Sequence, residues 1–190
     1  MRDQPRARGI RPSLTAAATL VACSALLSLP QSQAREVPRA DALKAGYLFN
    51  FLKFVEWPPS PLTPADTLTV CFLGDSGVHD EISAGLNDKR LGARRLVTRR
   101  VAPADPLNTC QVLYIDAGQF PAVSNLVVTR PTALLTVSDA PDFLRGGGII
   151  ALFDEGNRLR FRISVDNARR ADLRISSNLL QLASAVEREG

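Results

Sequence analysis

The chain has 190 residues, 23 Lys+Arg against 19 Asp+Glu, and a formal net charge of +4. Four of the arginines (Arg2, Arg6, Arg8, Arg11) and one acid (Asp3) lie in the first 34 residues, so the remainder carries a net charge of only about +1. That near-neutral balance argues against nucleic acid as a partner, and the 156 residues left suit one domain with a real core.

The amino-terminal basic stretch is followed by an apolar, Ala-rich run from Leu14 to Leu29, then Pro30 and the small-x-small tripeptide Ser32-Gln33-Ala34. This is the pattern of an export signal, with cleavage expected after Ala34 and the mature domain expected to be 35–190. The run is too short and too rich in Ala and Ser for a membrane span. Leu20-Val21-Ala22-Cys23 resembles a lipoprotein cleavage box, which is the alternative; the apolar run continues past it through Leu26, Leu27 and Leu29 where a polar tether would be expected.

Ala42 to Pro59 reads as a helix that is apolar over most of its circumference. Leu43, Tyr47, Phe51 and Phe54 recur at helical spacing, with Leu48, Phe49, Leu52 and Val55 on the flanks. Asn50, Lys53 and Glu56 are the polar line, and Pro58-Pro59 is the stop. Two readings stay open: a core helix with one solvated stripe, or a helix that offers part of its surface, Trp57 included, to a second protein.

Strands and helices then alternate. Strands are expected at Thr67–Leu73, Leu96–Val101, Cys110–Ile115 and Ala133–Val137, with short helices at Val78–Leu86 and Phe120–Val128, the latter opened by Pro121. Asp139 to Leu144 suggests one helical turn, broken by Gly146-Gly147-Gly148. Ile149–Phe153 and Leu159–Val165 read as a hairpin, and Ser177–Arg188 as a closing helix. Successive βα units imply parallel pairing. The expected fold class is α/β: a three-layer sandwich with a mixed, mostly parallel sheet, a C-terminal antiparallel hairpin and flanking helices.

Without the leader, Cys71 and Cys110 remain as an even pair in a disulfide-permitting compartment. A bridge closing a loop of about 40 residues is worth up to roughly 4 kcal/mol on the chain-entropy model; two buried free thiols are the alternative.

His79 is the only histidine, so neither a His-based zinc site nor a Ser-His-Asp triad can be assembled, and no glycine-rich phosphate loop follows a strand. No metal, cofactor or catalytic residue is assigned. The best enzyme-like grouping is Asp75, Asp116 and Asp139, each just after an apolar strand, where a doubly wound sheet binds ligands. A metal-dependent hydrolase or phosphoryl enzyme would use them so; Asp and Ser at those places also serve as helix caps and turns. Arg158, Arg160 and Arg162 alternate with Leu159, Phe161 and Ile163, which puts three guanidinium groups on one sheet face. Such a face is solvated, or receives an acidic partner or ligand. Arg169, Arg170 and Arg174 could extend it. Arg94, Arg95, Arg99 and Arg100 read as protection for an edge strand.

Arg158-Leu-Arg-Phe-Arg-Ile-Ser164 and Asn167-Ala-Arg-Arg-Ala-Asp-Leu-Arg-Ile-Ser-Ser-Asn-Leu-Leu-Gln-Leu-Ala183, with Asn50-Phe-Leu-Lys-Phe-Val-Glu-Trp-Pro58, resemble the YfiR-like family of bacterial periplasmic proteins. Val70-Cys-Phe-Leu-Gly-Asp75 and Leu135-Thr-Val-Ser-Asp139 fit the same pattern, in order, across nearly all of the mature chain. The resemblance implies a non-catalytic repressor that binds the periplasmic sensor region of an inner-membrane diguanylate cyclase and holds down cyclic di-GMP synthesis. It also implies sequestration by an outer-membrane lipoprotein, a homodimer, and a Cys71–Cys110 pair. Some relatives have a second cysteine pair around the glycine run; here Arg145 and Leu152 stand nearby and no cysteine does.

Overall fold

In a computed structural model of the protein, the described residues are 36–59, 66–75, 77–86, 89–129 and 132–187. The expected export signal, its expected cleavage point and Cys23 lie outside them. The apolar runs become the strands of one eight-stranded sheet. Its members are β2 (Thr67–Leu73), β3 (Arg90–Leu91), β4 (Arg94–Val101), β5 (Val112–Ile115), β6 (Leu135–Ser138), β7 (Ile150–Glu155), β8 (Arg158–Ser164) and β10 (Ala185–Glu187). They lie in the order β10-β8-β7-β6-β5-β2-β4-β3. Pairing is parallel except for β3 with β4 and β7 with β8. A separate two-stranded antiparallel pair joins β1 (Val55–Glu56) to β9 (Arg174–Ile175).

The central strands are apolar on both sides because both sides are covered, as crossover helices require. On one face α1 (Glu36–Phe54) and α2 (Gly77–Leu86) pack over Val70, Phe72, Val112, Val137 and Leu152. The segment with α4 (Val165–Arg170) and α5 (Ser177–Leu182) joins the same layer through Ala168, Leu173 and Leu179. On the other face α3 (Phe120–Val128) and the turn through Phe143 and Leu144 cover Cys71, Leu73, Leu113 and Ile115. The result is a three-layer α/β sandwich. The chain leaves β2 for β4 on one side and returns to β5 on the other, so the sheet reverses its direction of growth at the carboxyl ends of β2 and β5.

The greasy helix is chiefly a core helix: Leu48, Phe51 and Leu52 are buried, and Tyr47 and Phe51 pack on Phe161 with ring centroids 5.8 and 5.0 Å away. Asn50, Lys53 and Glu56 face solvent as expected, and Leu43 remains 49 % exposed. The helix stops at Phe54, short of the prolines. Val55 and Glu56 are taken into the ladder with Ile175 and Arg174, and the Ser176 amide donates to the Phe54 carbonyl at 2.9 Å.

Two further expectations need correction. The closing helix ends at Leu182: Ala183 is extended, the Ser184 amide donates to the Phe161 carbonyl, and Ala185–Glu187 lie parallel to β8. The edge of β8 takes up this segment as a parallel strand. Val165, expected to end the hairpin strand, instead begins α4, which is opened by the Ser164 hydroxyl accepting from the Asn167 amide.

Cys71 and Cys110 form a disulfide, so the free-thiol alternative is set aside. Cys71 is fully buried in β2, and Cys110 is 5 % exposed just ahead of β5.

Candidate functional site

β8 presents the arginine face. Register places Arg158 opposite Glu155, Arg160 opposite Phe153 and Arg162 opposite Ala151, while Leu159, Phe161 and Ile163 turn to the opposite side. All three arginines are exposed. Arg160 reaches Glu155 at 3.5 Å, and the Arg162 guanidinium stacks 4.3 Å above the Phe153 ring. Arg162 also lines a cleft of about 520 Å³ beside the carboxyl end of β6, together with Lys44, Asp139, Phe143, Phe153 and Glu187.

The other arginines named from the sequence do not all join this face. Arg169 and Arg170 stand on α4, where Arg169 meets Asp166 at 3.5 Å and Arg170 donates to the Asn167 side-chain oxygen. Arg170 and Arg145 share a smaller hollow with Gly147 and Asn167. Asn167 is buried and donates to the Leu144 and Gly148 carbonyls at 2.9 and 2.6 Å, which ties the glycine run to α4. Arg174 lies on β9, paired with Glu56 beside α1. Trp57 is half-buried and its indole N–H donates to the Gln111 carbonyl at 3.1 Å.

The three carboxylates of the enzyme-like grouping are divided. The Asp75 side chain is fully exposed and pairs with Arg100 at 3.0 Å. Asp139 accepts from Lys44 at 2.6 Å and from the Tyr114 hydroxyl at 3.5 Å. The Asp116 carboxylate lies over the backbone of Gly74, where a Cβ would collide with it. Tyr114 is held protonated well above the ordinary tyrosine range, first by burial and then by the charges of Asp139, Asp116 and Asp41. Two of the named acids thus gather with Asp41 around a buried phenol, and the third faces solvent. Among the described residues no group of three or more His, Cys, Asp or Glu is placed to hold a metal ion. Capping accounts for part of the pattern: the Ser138 hydroxyl accepts from the Ala140 amide at 3.0 Å.

His79, expected on the surface, is largely covered; its ring meets Phe72 edge-on at 5.1 Å and bonds Asp80 and Ser83. Those bonds, His79 first and then Arg100, hold the Asp80 carboxyl below its ordinary range. Sequence reading missed the setting of Arg99. In sequence it reads as edge protection, whereas its guanidinium lies against the disulfide, 3.3 Å from Cys110 Sγ and 3.8 Å from Cys71 Sγ. The β2–β4 register, which sets Cys71 opposite Arg99, is the only signal that could have placed it.

Fold and surface together define an α/β domain whose charged features are a solvent-facing arginine stripe and paired acids. The DUF4154 model, described as YfiR/HmsC-like, matches residues 41–184, and the chain belongs to that family. The family is periplasmic and regulatory, acting in cyclic di-GMP signalling. No curated protein matches the sequence. Among solved structures the chain is similar to a conserved domain protein from Vibrio cholerae O1 biovar El Tor, at 11% identity and a TM-score of 0.48. That match covers 77% of this chain and 60% of the other, so the chain spans less than two thirds of its structural relative. Among the described residues no helix is long and apolar enough to cross a membrane.

Proposed function

We propose that the protein is a periplasmic negative regulator that binds the sensor region of an inner-membrane diguanylate cyclase and favours its inactive state. The family match across residues 41–184 carries this reading. Export with cleavage after Ala34 delivers it to the periplasm, an outer-membrane lipoprotein sequesters it there, and it works as a homodimer. The exposed stripe of Arg158, Arg160 and Arg162, with Arg169, Arg170, Arg174 and Trp57 around the domain, supplies the contacts. A repressor of this kind acts by differential affinity: it shifts the cyclase population only as far as it binds the inactive state more tightly.

Deleting the gene is expected to raise cellular cyclic di-GMP, and unchanged levels in a strain that retains the cyclase would remove the proposal. In vitro, reversing Arg158, Arg160 and Arg162 together to Glu is expected to weaken binding to the cyclase's periplasmic domain by at least about tenfold, as opposed charges become like charges. Asp75→Asn is expected to leave binding unchanged. The opposite pattern would move function to the carboxylates. Mass spectrometry of the exported protein should find Arg35 at the amino terminus; an acylated Cys23 would overturn the soluble form.

A further inference from the structure

Residues 89–104 hold six basic side chains (Lys89, Arg90, Arg94, Arg95, Arg99 and Arg100) and no acid, in a chain whose net charge beyond residue 34 is only about +1. The structure sorts these cations. Arg99 is turned onto the disulfide, and Arg100 is held by Asp75 and Asp80 at 3.0 and 2.7 Å. The other four gather at the hairpin of β3 and β4, at one end of the sheet, where Lys89, Arg90 and Arg95 are exposed and Arg94 partly so. Among the described residues no carboxylate pairs with Lys89, Arg90 or Arg94, and Arg90 donates to the Ala93 carbonyl at 2.6 Å within its own turn. Register sets Arg90 directly opposite Arg95, so two guanidinium-bearing side chains share one face of the hairpin. Like charges that face each other across a ladder are destabilising, and an anion lying over both relieves the repulsion. Protection of an edge needs a charge on the edge strand itself, which Arg90 supplies; Arg94 and Arg95 lie one strand inside it.

We propose that the β3–β4 hairpin is a membrane-contact surface, which holds the protein weakly and reversibly against anionic phospholipid of a bilayer facing the periplasm. The composition of the patch favours lipid over an acidic protein. Its cations stand on long stems around an exposed turn, Gly92-Ala93, and residues 89–95 include no aromatic side chain. Protein interfaces draw their affinity from aromatic and apolar anchors seated in pockets, with charges at the rim. A bilayer asks for neither pocket nor anchor, because headgroup phosphates are mobile and adjust to the cations. Each Lys or Arg near such a surface is worth roughly fivefold in partition, so four together concentrate the protein there by roughly a few hundredfold. The effect fades beyond a Debye length and with added salt. Leu91 is packed against the core, so the contact is electrostatic and inserts no apolar side chain of the hairpin. This reading rests on the periplasmic location of the family and on no property of the cyclase.

The test is co-sedimentation of the exported protein, purified from the periplasm, with vesicles of phosphatidylcholine alone or of phosphatidylcholine and phosphatidylglycerol in equal parts. At about 20 mM salt the protein should pellet with the anionic vesicles and stay in solution with the neutral ones, and about 0.3 M salt should release it. No binding to the anionic vesicles, or equal binding to both kinds, overturns the proposal. Arg90→Gln and Arg94→Gln should each weaken partition by about fivefold, and the triple variant with Lys89→Gln by about a hundredfold. Arg90→Lys, which keeps the charge, should bind as the wild type does, so a loss caused by misfolding is told apart from a loss of charge. Arg145→Gln is the comparison: that arginine is exposed, pairs with Asp142 and stands away from the hairpin. An equal loss from Arg145→Gln would mean that net charge and not the hairpin is read, and overturns the assignment. Hairpin-dependent capture of a soluble acidic protein, with anionic vesicles left bare, would give the surface to a protein partner and overturns it too. The vesicles contain no cyclase, so failure here leaves the regulatory reading untouched.

Discussion

Gly74 carries two constraints at once. Its φ of +116° is one that side-chain-bearing residues rarely adopt, and the Asp116 carboxylate occupies the space of its missing Cβ. Gly74→Ala should lower unfolding free energy in urea by about 2 kcal/mol or more. Adding Asp116→Ala should recover only the part due to the collision, leaving the backbone cost. Tyr114 sets a second expectation. Its folded pKa is raised, by burial first, so the stability it contributes is present below the unfolded tyrosine value of about 10 and declines as pH rises beyond it. Absorbance at alkaline pH should show this phenol ionising only as the protein unfolds. A smooth titration of both tyrosines in the native state would contradict the burial.

At the scale of elements, most of the architecture was legible because its strands are long, apolar and bounded by turn residues. Thr67–Leu73 reads as a buried parallel strand for that reason, as does the run expected at Ala133–Val137, which the structure places at Leu135–Ser138. What escaped were elements too short to carry a period: β1, β3 and β9 have two residues each, and β10 has three. Ser177 to Arg188 has a helical apolar pattern, and the competing demand came from a partner distant in sequence, the unsatisfied edge of β8. Truncation after Ser184 should therefore uncover that edge and increase self-association, measured by light scattering against concentration. A monodisperse truncated protein would mean that β10 protects nothing.

For the molecule as a whole, the arginine stripe was visible in sequence because alternation is a local property, and its exposure follows from the hairpin register. The enzyme-like triad of acids was visible for the same reason and resolved differently. Strand ends bring Asp116 and Asp139 to the phenol of Tyr114, while Asp75 leaves with Arg100. Arg99 was hidden, since its meaning depends on β2, β4 and the 102–111 loop meeting in space. Local chemistry could be read from the sequence, whereas juxtapositions across crossovers could not.

The hydrogen bond from Trp57 to the Gln111 carbonyl gives the protein an optical handle. The chain has a single tryptophan, and the carbonyl it binds belongs to the residue immediately after Cys110. Its fluorescence therefore reports from one place, where the end of the first helix meets the strand leading away from the disulfide. Opening the bridge should let Gln111 shift and move the emission maximum, with no label attached and without unfolding. Emission that stays constant while the thiols are freed would mean that this contact holds independently of the bond beside it.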